Sequence, residues 1–308
     1  GILITVFETE LGAAVWAEFE TAMGVIADGS VQALVTSPPY PVVGGKKYGR
    51  FTPDQCLAML DKLFRALPRV LKPDASVILN LTDVWERGQP TRSLYQEELL
   101  IKLVKEQGWK LCDRFSRHNP AAPACTDWVT KRRERVRSTM ETFFWLAPTA
   151  HPYADNRQVL APYGATMRRI LANGGVARSA RPSGHGSGHK GKSYSRNNGG
   201  SIPGNFFRAT NASSNDAYQR FCRSMGLPIH PARFPEDGRI LEFFVNLTTR
   251  PGDLLVDCFS GSQKLPSVCE ELGRRWFSVE KHLPYIRGGE GRLRHADGFH
   301  SYAIPREN

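Results

Sequence analysis

GDLLVDCFSGSQKLPSVCEELGRRWFSVE, residues 252–280, is the stretch that decides the fold. The apolar run 254–257 is short and bounded by Gly252 on one side and by the small residues Ser260, Gly261 and Ser262 on the other, so it reads as a buried strand followed by a tight turn. Apolar residues then recur at helical spacing over 262–272, Gly273 stops them, and 276–280 forms a second strand that ends on an acid, Glu280. Strand, turn, helix, strand is the repeating unit of a parallel α/β sheet. A glycine in the turn lets the backbone approach a ligand closely, and an acid at the end of the next strand can accept both hydroxyls of a ribose, so this unit predicts a nucleoside cofactor.

The same alternation appears earlier. Residues 31–36 are a buried strand cut short by Ser37-Pro38-Pro39-Tyr40, because proline has no N–H for a strand ladder. A helix is predicted over 54–70, a strand over 76–80, a helix over 94–107 closed by Gly108, and strands over 109–115 and 140–146. The later strands can pair as an antiparallel edge. Further on, 242–248 and 284–293 read as helices. Asn80 and Asp83 follow the second strand and are placed by this order beside the proline corner, at the carboxyl edge of the sheet.

Forty-one Lys and Arg against 30 Asp and Glu give 308 residues a formal charge of +11, which suits a polyanionic partner. Residues 147–228 show little periodicity and carry many Gly, Ser, Asn, Arg and Lys residues. A flexible linker is the plain reading of such composition. Tyr194, Ile202, Phe206 and Phe207 interleave with the charges and regular structure resumes afterwards, which favours an inserted basic lobe. The run from Lys131 and Arg132 to Arg135 is ordinarily a solvated face, but beside Trp128 it can clamp phosphates. Six cysteines without a C-x-x-C pair predict neither a zinc knuckle nor a redox motif, and a reduced, cytoplasmic protein is expected. His185 and His189 have no further ligand nearby, so no metal is expected. Glu8, Glu10, Glu18 and Glu20 interrupt the apolar N-terminal segment, and neither a signal peptide nor a membrane span is expected.

Taken in order, TSPPY at 36–40, HPARFPED at 230–237, DCFSGS at 257–262 and SVEKHLPYI at 278–286 resemble the motifs of amino-group DNA methyltransferases in their circularly permuted β arrangement. RSLY at 92–95, VLAPY at 159–163, RPSGH at 181–185 and NNGGSIP at 197–203 bring the resemblance closest to the PvuII type of cytosine-N4 modification methyltransferase. It implies a Rossmann-like, class I S-adenosylmethionine-dependent sheet with an inserted target-recognition region. The domains it implies are a catalytic half over 1–147, target recognition over 148–229 and a cofactor half over 230–308.

Carried over residue by residue, the resemblance makes Ser37, Pro38, Pro39 and Tyr40 the catalytic motif. S-adenosylmethionine is the implied cofactor, held by Asp257, Phe259, Ser260, Gly261, Ser262 and Glu280, with His230, Pro231 and Phe234 beside its methionine part. Double-stranded DNA is the implied partner, contacted by Arg181, Ser183, His185, Lys190, Lys192, Arg196 and Asn198 together with Lys131 and Arg132, and a cognate restriction endonuclease is the implied functional partner. Gln263, Lys264, Leu265 and Pro266 depart from the family, which has small residues and threonine there, and a cation at 264 is expected to oppose a sulfonium. Adenine-N6 transfer on the same scaffold and a non-catalytic DNA-binding relative remain alternatives. A carbon-5 cytosine enzyme is disfavoured, since it would need a nucleophilic Cys, usually after Pro, and no Pro-Cys pair occurs.

Overall fold

The computed structural model describes residues 1–41, 51–176, 182–183, 194–210, 215–237 and 239–304. Two compact units emerge, one made of 1–154 and 205–308, the other of 155–204.

In chain order the larger unit runs β1 (Ile4–Glu8), β2 (Gly12–Trp16), α1 (Phe19–Met23), β3 (Val31–Thr36), α2 (Pro53–Val70), β4 (Leu71–Thr82), α3 (Tyr95–Ile101), β5 (Lys110–His118) and β6 (Met140–Ala147). After α4 (Ala165–Ala172) of the smaller unit come β7 (Phe206–Arg208), α5 (Ala217–Ser224), α6 (Ile240–Thr248), β8 (Leu254–Asp257), α7 (Lys264–Leu272), β9 (Arg275–Glu280), α8 (Leu283–Leu293) and β10 (His300–Ser301). The strands form one sheet in the order β10-β1-β2-β9-β8-β3-β4-β6-β5-β7. Its centre, β2 through β4, is parallel, and β6 pairs antiparallel with both β4 and β5. All six residues of β3 are buried, as expected of a strand covered by helices on both faces.

Local chemistry explains the elements. Thr52 and Gln55 form a reciprocal capping box at the start of α2, with Pro53 in its first turn. Cys56, Leu60, Leu63, Phe64 and Leu67 then fall on one buried face. The helix predicted over 94–107 is present but widens into a π-helical turn over Lys102–Glu106 before Gly108 ends it.

Three features add to these expectations. The N-terminal segment is a hairpin, β1–β2, whose second strand continues the parallel sheet beside β9. The unit that separates is 155–204, narrower than the expected 148–229, because β7 joins the sheet against β5 and α5 packs on α8. The region of little periodicity also holds α4, β7 and α5. Within the smaller unit, Ala161 and Ser201 bridge, and the Tyr163 hydroxyl accepts the Asn198 N–H.

Candidate active site

The proline corner and the glycine turn come from opposite ends of the chain, yet β3 and β8 are hydrogen-bonded parallel neighbours. Their carboxyl ends therefore lie side by side, where α/β sheets carry their ligands. Thr36 Oγ1 donates to Asp257 Oδ1 at 2.6 Å, a buried bond that pins the base of the corner to the base of the turn.

On the turn side, Asp257 also accepts the Phe259 N–H, so its carboxylate is directed into the floor and holds the turn in shape. Burial pushes it up to about 7, the carboxylate of Glu280 acts in the same direction, and the Thr36 and Phe259 bonds oppose both. Ser260 and Ser262 are buried, Ser260 donating to the Val279 carbonyl and the Ser262 carbonyl accepting from Arg292. Glu280 accepts the Gly261 N–H on one oxygen and the His282 N–H on the other, and the carboxylate keeps lone-pair capacity for a hydroxyl. Burial raises its pKa, against the pull of the His282, Gly261 and Lys281 N–H groups and of the Lys281 charge. Gly261 has φ +46°, and a Cβ there would stand 2.9 Å from His230 Nε2. The segment from His230 thus lies directly against the turn. Burial, with the Arg233 and His282 charges, lowers His230 to about 4, so its imidazole is neutral.

The departure at 263–266 has a physical account. Gln263 is fully buried in the left-handed region, φ 63°, and its amide compensates by donating to Ser260 Oγ and accepting from Ser278 Oγ. Gly289 of α8 makes room for it, since a Cβ there would come within 2.2 Å of Gln263 Cγ. Lys264 does not present a bare cation, because Glu236 pairs with both Lys264 and Arg292 at 2.8 Å.

On the corner side, Pro38 is buried, Pro39 exposed, and Ser37 and Tyr40 half-buried. Ser37 Oγ donates to Asn80 Oδ1 at 3.0 Å, whereas Asp83 turns away to accept from Gln96. The Pro39 carbonyl meets the Cys56 thiol at 3.8 Å. Burial pushes the Tyr40 hydroxyl up to about 12, with the Glu141 carboxylate adding to the rise and Arg117 opposing it, so the ring is a neutral phenol. Phe234 stacks against Phe143 of β6, with centroids 6.1 Å apart, and Pro231 is exposed.

Because β5 runs parallel to β4, the connection from the end of β5 to the start of β6 leaves and re-enters at this same edge. It carries Lys131 and Arg132, both exposed, with the Arg132 guanidinium 5.1 Å from the Trp128 ring. Ser183, Arg196 and Asn198 are exposed in the smaller unit. Arg181, His185, Lys190 and Lys192 lie outside the described residues.

A model of the family described as "DNA methylase", covering N6 and N4 enzymes, matches residues 31–290, from β3 into α8. The chain belongs to this family. The type II methyltransferase M.PvuII of Proteus hauseri is 36% identical over 269 residues, 86% of this methylase and 79% of the relative. The solved structure of the PvuII DNA methyltransferase (cytosine-N4-specific) superposes with a TM-score of 0.73 and 28% identity, covering 92% of this chain and 87% of that one. A putative DNA modification methylase from Thermus thermophilus, complexed with S-adenosyl-L-methionine, shares the fold at 16% identity and a TM-score of 0.51, covering 90% and 92% of the two chains. Among the described residues, no helix of this methylase is long and apolar enough to cross a membrane.

Sequence reasoning did not single out Thr36, Arg117, Glu141 or Glu236. Each takes its role from a partner on another element, so the signal lies in strand pairing and not in local pattern.

Proposed function

We propose that this methylase transfers a methyl group from S-adenosylmethionine to the exocyclic N4 of a cytosine in double-stranded DNA. The observation that carries the reading is the Thr36–Asp257 bond, which sets an amino-group-binding corner next to a nucleoside-binding turn. The residues fit the cofactor: Glu280 offers lone pairs for the ribose hydroxyls, Gly261 has no Cβ, and a neutral His230 adds no charge beside a sulfonium. When bound, the cofactor supplies an electrophilic methyl carbon whose bond to sulfur breaks with its electron pair left on sulfur.

The chain's own task is to make a poor nucleophile reactive. The lone pair of a cytosine amino group is delocalised into the ring. Ser37 has its proton engaged by Asn80, so its oxygen lone pairs face outward as acceptors. With the Pro38 carbonyl, whose direction is restricted because Pro39 follows it, they draw on the two amino hydrogens and let the lone pair localise as nitrogen attacks. The methylated nitrogen then releases one proton to solvent. Since N4 of a stacked base is out of reach, the cytosine is extruded and the neutral Tyr40 ring offers it a stacking face. The 155–204 unit, with Ser183, Arg196 and Asn198, reads the target, and Lys131 and Arg132 hold the flanking backbone. The enzyme serves as the protective half of a restriction–modification pair, and its six unpaired cysteines suit a reduced cytoplasm.

Digesting treated DNA to nucleosides and weighing the products tests the reading. N4-methylcytosine is expected, and N6-methyladenine or no modified base overturns it.

A further inference from the structure

The end of a buried charge network reaches the catalytic corner from behind. Arg117 of β5 is 2% exposed, and its guanidinium holds the Glu141 carboxylate at 3.1 Å while also donating twice to the Ala209 carbonyl, at 3.2 and 3.3 Å. The two residues sit opposite each other in the β5–β6 register, and Glu141 is in turn paired with Thr82 at the end of β4. From there Glu141 Oε2 accepts from Asn80 Nδ2 at 3.4 Å, the Thr142 carbonyl accepts from the same amide at 3.3 Å, and Asn80 Oδ1 accepts from the Ser37 hydroxyl.

An asparagine amide has two ends of nearly equal shape and opposite polarity, and only its partners decide which way it faces. Glu141 and the Thr142 carbonyl can only accept, so they fix the NH2 end on their side and leave the oxygen for Ser37. The reversed amide would donate to Ser37 instead. It would occupy a lone pair needed for the target amino group and turn the serine proton toward that group, donor against donor.

We propose that Glu141, held by Arg117, is a positioning residue that sets the polarity of Asn80 and thereby keeps Ser37 an acceptor for the target amino group. This rests on the assignment of Ser37 under the proposed function. Glu141 touches neither the base nor the cofactor in this role. Arg117 serves to neutralise the carboxylate and to fix its position, so that a full negative charge does not bear on the corner. The same pair acts on Tyr40, whose hydroxyl is raised by Glu141 and lowered by Arg117, which places both corner side chains within its electrostatic reach.

The test exchanges the amide and the carboxylate. Glu141→Gln leaves the Thr142 carbonyl alone to hold the NH2 end of Asn80, because a glutamine can face the amide with either end. Single-turnover methyl transfer should fall about tenfold or more, with DNA and cofactor affinities within about twofold of wild type. Adding Asn80→Asp should recover part of that loss, since a carboxylate at 80 can only accept from Ser37 and the introduced glutamine can donate to it, while the Thr142 carbonyl loses its donor. Asn80→Asp alone should be slow at neutral pH, with two carboxylates facing each other across the 3.4 Å contact. A purely structural pair would not be rescued by the exchange. An unchanged rate in Glu141→Gln, or a double variant no faster than the single ones, overturns the proposal. Should Glu141→Gln fail to fold, the comparison of Asn80→Asp with the charge-conserving double variant decides it alone. A failed assignment of Ser37 is recognised separately, as a Ser37→Ala enzyme with the wild-type transfer rate.

Discussion

Replacing Thr36 by valine removes one hydroxyl and keeps the shape of a side chain that is 0% exposed. The hydroxyl is one of two donors to Asp257 Oδ1, the other being the Phe259 N–H. Burial holds Asp257 up to about 7 in the folded chain, against an ordinary value of 3.8. The folded protein therefore keeps a proton that the unfolded chain has released across this window. The stability from that proton is complete below the lower value and lost as pH rises through the upper one. Above it the fold contains a buried carboxylate that depends on its two donors. A hydrogen bond to a charged acceptor contributes about 1.5–3 kcal/mol, and one between neutral groups about 0.5–1.5 kcal/mol. Thr36→Val should therefore cost about 2–3 kcal/mol at about pH 8.5 and about 1 kcal/mol at about pH 6. The difference corresponds to roughly one further pKa unit of upward shift on Asp257. Urea unfolding at the two pH values, with unchanged slope, measures both numbers. Equal losses at the two pH values would show that Asp257 does not titrate against this hydroxyl, and no loss at either would remove the link between corner and turn.

Ser37→Ala should slow methyl transfer about a hundredfold while leaving DNA affinity nearly unchanged, as read by single-turnover rates and titration. Tyr40→Ala should reduce both turnover and the fluorescence of a flipped base analogue, whereas Tyr40→Phe should be nearly silent, because the ring face does the stacking. Glu280→Ala should weaken S-adenosylmethionine binding at least about tenfold by calorimetry, from loss of charge-assisted bonds, and leave the DNA Kd in place. Replacing Lys131 and Arg132 together by alanine should lower the slope of log K against log salt by about 2 if each neutralises one phosphate.

Much of the centre was legible because its strands are buried on both faces. The runs at 31–36 and 254–257 need no knowledge of neighbours to be recognised, the first stopped by the prolines at 38 and 39 and the second followed by a turn of small residues. The β1–β2 hairpin was not, because Glu8 and Glu10 read as interruptions of an apolar segment when they lie at and beyond the end of β1, where the chain turns. Its strands are five residues each, too short to show alternation clearly. Helix α5 hides in a basic, glycine-rich region, its buried Tyr218, Gln219 and Cys222 being too few to stand out. At the site, the corner and turn could be read from local chemistry. Arg117 and Glu141 could not, since two opposite charges far apart in the chain become partners only once the register of β5 and β6 is known. Lys264 was legible as a departure but not as a paired charge, for the same reason.

The strand order also governs how the molecule can be made. β2 and β3 follow one another in the chain, but β9 and β8 stand between them in the sheet. A ribosome that has released the first half has produced two ribbons separated by a vacancy two strands wide, about 14 Å from β2 to β3 at ordinary spacing. Both inner edges carry unpaired backbone groups, the usual template for association with another chain. They close only when β8 and β9 emerge and slide in together, joined by α7. The nascent chain is thus most exposed to aggregation while the smaller unit and the segment after it are being translated, and a product stopped before Leu254 would keep both edges open indefinitely.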